Sequence, residues 1–269
     1  MKKIIKTALA TTVLASALVA AAPAFADDTP ALKITGSATI ASEYRLRGIS
    51  QTDSDPAIQG GITLTTAPGF YVGTWASNLA GNGTFGGSNM ELDLIAGYSK
   101  AIGPATLDGG LIYYVYPGTK GHDFFEIYGS VSGAVGPVNA KLGAYWAPPQ
   151  TNIGISGGSK GNNIWVYTDL GLPISGTPIT LKAHAGYSDG DSLYTKGAAA
   201  FDPFDTEGNH GVFDYAVGVD LTYKALTLNV SYVGTDMNRN YANLNYGAGS
   251  HSGRKITKGD VVASLTAAF

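Results

Sequence analysis

The chain ends Val261-Val262-Ala263-Ser264-Leu265-Thr266-Ala267-Ala268-Phe269. Val261, Ala263, Leu265, Ala267 and Phe269 fall on one face of a strand. Ser264, Thr266 and small Ala268 fall on the other, because strand side chains alternate with period two. The last strand is therefore greasy on one side only, and its apolar face finishes on an aromatic ring.

The same alternation recurs upstream and predicts twelve strands. Near Leu32 to Tyr44, Leu32, Ile34, Gly36, Ala38 and Ile40 oppose Lys33, Thr35, Ser37 and Thr39. Strands follow near Ala57 to Thr66, Phe70 to Ser77, Met90 to Ser99, Ala105 to Tyr116 and Phe124 to Ala134. Further strands lie near Val138 to Trp146, Ile164 to Leu172, Ile179 to Ser188, Phe213 to Tyr223 and Leu226 to Tyr232, before the C-terminal strand. Only the third leaves its facing open, since Tyr71 and Trp75 oppose Phe70 and Val72.

The connections sort by length. Short turns built on Pro and Gly follow the even strands, as at Ala67-Pro68-Gly69 and Val135-Gly136-Pro137. Long loops follow the odd strands: residues 45–56, 78–89, 117–123, 148–163, 189–211 and 236–259. Short turns on one side and long loops on the other, with an even strand count, is the organisation of bacterial barrels, and a sandwich has no reason for it.

Composition agrees. Charged residues make up 14% of the chain, well below the roughly 25% of soluble domains, while Gly reaches 37 residues and Tyr 16. A soluble sandwich of this size needs more charge on its outer faces. The chain has no cysteine, which excludes disulfides, zinc-thiolate sites and a lipid-anchoring cysteine. At the N-terminus, Lys2, Lys3 and Lys6 precede a short apolar run and the small-x-small sequence Ala24-Phe25-Ala26. Residues 1–26 are therefore expected to be a cleaved secretory signal peptide, leaving 27–269 as one barrel domain. Removing the leader takes Lys+Arg from 17 to 14 against 20 acids, a mature charge of −6, which argues against a nucleic-acid partner.

Aromatics on apolar faces collect at both strand ends. Tyr44, Phe125, Trp146, Tyr187, Phe213 and Tyr232 stand toward the long loops, and Tyr98, Tyr223 and Phe269 toward the short turns. Two such girdles mark two membrane–water boundaries.

Two resemblances point the same way. The terminal aromatic of an apolar-out strand resembles the closing signature of outer-membrane barrels, which implies recognition of Phe269 by the barrel-assembly machinery. The segment Ser42-Glu43-Tyr44-Arg45-Leu46-Arg47-Gly48-Ile49-Ser50-Gln51, followed by Asp55 to Gly61, resembles the opening motif of the TorF porin family. Gly69 to Asn78, Glu91-Leu92-Asp93 with Gly97-Tyr98, and Tyr116-Pro117-Gly118 followed by Phe125-Glu126-Ile127-Tyr128 continue it to about Gly129. The resemblance implies an outer-membrane barrel that passes small hydrophilic solutes.

Polar-face charges carry the chemistry. A charge facing lipid costs roughly 2–4 kcal/mol for Arg or Lys at midplane, so these side chains are expected to point inward. They include Glu43, Glu91, Asp93, Asp108, Glu126, Asp169, Asp214, Asp220 and Asp260, with Lys33, Lys141, Lys182 and His184. Glu91, Asp93, Asp108, Glu126, Lys141 and Asp169 are the expected pore-lining set. Arg45 and Arg47, near Asp53 and Asp55, are expected at the pore rim, either selecting solutes or bracing the loop. Acid–base pairs that merely brace the wall are the competing reading of the lumen.

Two strings resemble catalytic or cofactor motifs. Gly186-Tyr187-Ser188-Asp189-Gly190 fits G-x-S-x-G but leads into a polar loop instead of a helix. His184 lies too far along the strand to activate Ser188, which leaves His210 across the hairpin. Gly81-x-Gly83-x-x-Gly86 opens no helix, so it is expected to be a loop. The four histidines show no short metal-binding spacing.

The expectation is a closed antiparallel transmembrane β-barrel of about twelve strands in the outer membrane of a Gram-negative bacterium. It has lipid and small hydrophilic solutes as partners and calls for no catalysis, metal or cofactor. Two alternatives stay open: a non-conducting barrel acting through its loops, and an outer-membrane esterase or phospholipase. Association into homo-oligomers is left open by the sequence.

Overall fold

The structure is a computed structural model and describes residues 31–80, 87–154, 159–195, 211–237 and 253–269. The expected signal peptide, the Gly81–Gly86 string and His210 lie outside the described residues.

The strands are β1 (Leu32–Ala41), β2 (Arg45–Leu46), β3 (Ile49–Ser50), β4 (Ala57–Thr66), β5 (Phe70–Asn78), β6 (Met90–Ile102) and β7 (Ala105–Val115). They continue as β8 (Phe124–Val135), β9 (Val138–Gln150), β10 (Gly161–Pro173), β11 (Ile179–Asp189), β12 (Val212–Tyr223), β13 (Leu226–Thr235) and β14 (Asp260–Ala268). Among the described residues, twelve of these form a closed antiparallel barrel in which each strand pairs with its sequence neighbours and β1 pairs with β14. β2 and β3 form a separate two-stranded sheet.

The terminal strand makes the seam. Ser37 to Ala41 run against Ala268 to Ser264. Gly36 and Phe269 then exchange both backbone hydrogen bonds, at 2.9 and 3.0 Å. The Phe269 ring lies over Gly36, where a Cβ would stand 2.6 Å from it. The aromatic that ends the chain thus completes the closure, and glycine is what makes room for it.

The exterior is apolar: Ile40, Ile58, Val72, Leu94, Leu142 and Val217 all face outward and are exposed. Phe70, Tyr98, Tyr223 and Phe269 are exposed at the short-turn end. Trp146, Tyr187, Phe213 and Tyr232 are exposed toward the long loops. Tyr44 departs from its expected place. It is buried inside, because β1 stops at Ala41 and the chain then turns inward, ending the period of two. In β5, Tyr71 points in while Phe70 and Val72 point out, which resolves the third strand.

Inside, rings lie on glycines directly across the ladder. Tyr71 pairs with Gly97, Tyr128 with Gly110, and Tyr167 with Gly143. A Cβ on Gly143 would meet the Tyr167 ring at 2.7 Å. The rings take the volume that missing side chains leave, and this accounts for a wall rich in both residue types.

Candidate functional site

The first long loop folds into the barrel. Leu46 pairs with Ile49 around the two-residue turn Arg47-Gly48, with φ of 48° and 81°. Positive φ at both central residues is the tight hairpin geometry that suits strand twist. Glu43, Arg45, Arg47, Ile49, Ser50 and Gln51 are all buried. Arg45 and Arg47, expected at the rim, have buried side chains: Arg45 meets the Lys258 carbonyl at the long-loop end just ahead of β14, and Arg47 reaches inward to the wall.

Arg47 is the tip. Its Nη2 donates to both carboxylate oxygens of Glu126, at 2.7 and 2.8 Å. Its guanidinium lies 4.8 Å above the Trp165 ring. The Tyr194 hydroxyl donates to the Arg47 carbonyl at 2.9 Å. Burial works against the Arg47 charge, but Glu126 beside it more than offsets this and holds its pKa above the ordinary value. The group is permanently cationic. Arg45 pairs with Glu43 at 2.8 Å and donates to the carbonyls of Gly48 and Lys258.

The wall behind the hairpin is acidic and aromatic. Glu91 accepts from Tyr44 at 2.8 Å and Tyr116 at 3.2 Å. Glu126 also accepts from Tyr114 at 2.9 Å. Burial and the Glu91 charge hold the Tyr44 and Tyr116 hydroxyls well above the usual phenol range, so both remain donors. Asp93 lies across the ladder from Trp75 and Tyr114 and within electrostatic reach of Glu91 and Glu126. It is 1% exposed, and neither carboxylate oxygen meets a hydrogen-bond partner among the described residues.

A second tier lies nearer the short turns. Asp108 accepts from Tyr71 at 2.7 Å. Lys141 stands 5.8 Å over the Tyr167 ring, within electrostatic reach of Asp108 and Asp169. His184 bridges Asp169 at 2.6 Å and Asp214 at 2.9 Å, and Asp214 also accepts from Trp165 at 2.8 Å. A continuous chain of contacts thus runs from Glu126 through Arg47, Trp165, Asp214 and His184 to Asp169.

Of the expected pore-lining set, Glu91, Asp93 and Glu126 gather around the hairpin, while Asp108, Lys141 and Asp169 form the lower tier. Asp260 stands on the inward face of β14, across the ladder from the buried Val233, but at the open end of the strand. It is exposed where β14 begins at the long-loop end, with its carboxylate accepting from the Val261 N–H. Sequence reasoning missed Trp165 and Tyr194. A Trp on the polar face of β10, in register with Tyr167 and Asp169, was the available signal.

Among the described residues the hydrolase alternative finds no base beside Ser188, and its candidate base His210 lies outside them. Ser188 is buried with its hydroxyl unpartnered, and both ring nitrogens of His184 are engaged by carboxylates. Among the described residues no cluster of three or more His, Cys, Asp or Glu is arranged to hold a metal ion.

A family model described as a bacterial protein of unknown function, Gcw_chp, matches residues 26–269. The chain belongs to the Gcw_chp family. The matching family carries that name and not TorF, and it spans the whole barrel where the TorF resemblance ran from Ser42 to about Gly129. No curated protein matches the sequence. Among solved structures, this Gcw_chp chain is similar to a NanC porin at 12% identity and a TM-score of 0.53, covering 88% of this chain and 99% of that one. It is likewise similar to a KdgM porin at 9% identity and a TM-score of 0.50, covering 88% and 98%. These likenesses show a porin-type barrel fold.

Proposed function

We propose that the protein is an outer-membrane channel for passive diffusion of small hydrophilic solutes, exported by its signal peptide and narrowed by the first-loop hairpin. The observation that carries this reading is the inside-out barrel. Apolar side chains cover the exterior, while Glu91, Asp93, Glu126, Lys141 and Asp169 turn inward. Closure satisfies the backbone hydrogen bonds of every strand in lipid, which an open sheet cannot do. The TorF-like motif supports it further, since Tyr44, Arg47, Glu91, Tyr116 and Glu126, all within that motif, meet at the hairpin. Acid bias on the wall favours cations.

A second reading, a sealed barrel acting through its loops, is favoured by the burial of the hairpin itself. Purified protein refolded into a planar lipid bilayer separates the two. Discrete current steps are expected from a channel, and a silent bilayer containing folded protein would establish the sealed barrel.

A further inference from the structure

We propose that the wall formed by Glu91, Asp93 and Glu126 is a binding site for solutes bearing a guanidinium group, and that Arg47 occupies it as a built-in stand-in. The inference rests on the channel reading for its physiological use but not for its test.

The chain's own side chain shows what the wall accepts. A planar cation meets a carboxylate through one terminal nitrogen and lies over an indole, with Arg47 Nη2 on both oxygens of Glu126 and the guanidinium carbon 4.8 Å above Trp165. Guanidinium is matched to both surfaces: its fork of N–H groups fits carboxylates, and its weakly hydrated plane stacks on rings. An ammonium fits neither as well.

The site is also short of positive charge. Three carboxylates lie within electrostatic reach of one another, and Arg47 engages only Glu126 directly. Glu91 is met by two phenols, and Asp93 by no hydrogen bond although it is 1% exposed. A buried carboxylate without a donor is costly. A guanidinium brings five donors, and one not tethered to the hairpin is free to turn toward Asp93, which Arg47, with its Nε unpartnered, does not reach. β2 and β3 pair with each other and are not spliced into the barrel ladder, so displacing the hairpin breaks the Arg47–Glu126 pair and the Arg45–Lys258 and Tyr194–Arg47 hydrogen bonds but no barrel strand pairing. An incoming solute then replaces like with like.

The test is calorimetric titration of the refolded full barrel in detergent micelles with arginine, with citrulline as the uncharged shape control, and with glutamate. Arginine is expected to bind, and citrulline and glutamate are not. Arg47→Ala is expected to bind arginine at least about tenfold more tightly, because a competitor that fills the site lowers apparent affinity by the fraction left vacant. Adding Glu126→Gln is expected to remove that gain. Heat-shifted gel mobility reports whether each variant is folded, and Arg47→Gln serves if Arg47→Ala is not. Equal binding of arginine and citrulline, or no gain on vacating the site, would overturn the proposal. Because the titration needs no current, a sealed barrel and a missing site give different results.

Discussion

Arg47 reaches from the tip of the first loop to Glu126 on β8, 79 residues away, and holds both carboxylate oxygens at 2.7 and 2.8 Å. Both side chains are nearly inaccessible to solvent. This ion pair, with the Arg45–Lys258 and Tyr194–Arg47 hydrogen bonds, fixes the loop to the inside of the barrel.

Breaking that pair leaves a buried charge alone. Arg47→Ala and Glu126→Gln are each expected to lower stability by about 3–5 kcal/mol, and the double variant by clearly less than the sum. Urea unfolding in detergent gives the coupling energy. Additive losses would show that the two groups do not depend on each other.

Gly48 lets the tip sit against the wall. Its φ is 81°, and a Cβ there would meet the Gly234 carbonyl oxygen at 2.5 Å. Gly48→Val is expected to lift the hairpin while leaving the barrel intact. Limited trypsin digestion checks this: the buried Arg47 of the natural chain should resist cleavage, and the variant should be cut after it. Equal resistance would place the restraint elsewhere in the loop.

The ring-on-glycine pairs predict steric sensitivity inside a wall that looks permissive. Gly143→Ala puts a methyl 2.7 Å from the Tyr167 ring and should cost about 1–3 kcal/mol, lowering the temperature at which the folded band shifts on gels. Combining it with Tyr167→Ala should cost less than the two separately.

Phe269 contributes both seam hydrogen bonds to Gly36 and the ring above it. Its deletion is expected to reduce the amount of assembled barrel in the outer membrane, with unassembled chain accumulating in the periplasm. Undiminished assembly, measured by fractionation, would show that closure and recognition do not need the terminal ring.

Glu91→Gln with Asp93→Asn removes two wall acids without changing shape. Reversal potentials across a salt gradient should move toward less cation preference. An unchanged potential would mean these carboxylates lie off the conduction path.

The barrel was legible because period two persists through each strand and the short turns carry Pro and Gly; β4 begins and ends as expected from sequence. The site was legible only in its parts. Glu91, Asp93 and Glu126 announced themselves as acids on polar faces, but nothing local placed Arg47 against Glu126. That contact needs a loop to fold inward, and its cause is distributed: β1 ending at Ala41, a two-residue turn at Arg47-Gly48, and a distant ring at Trp165. Tyr44 shows the same limit, since extending strand alternation past Ala41 sent it to the wrong face.

Single-channel conductance of the natural chain and of Arg47→Ala, recorded in the same planar bilayer, tests the central claim most directly. The expected result is discrete steps from both, with larger steps from the variant as the lumen loses its guanidinium. Silence from both folded proteins, or identical steps, would contradict a water-filled barrel narrowed by this hairpin.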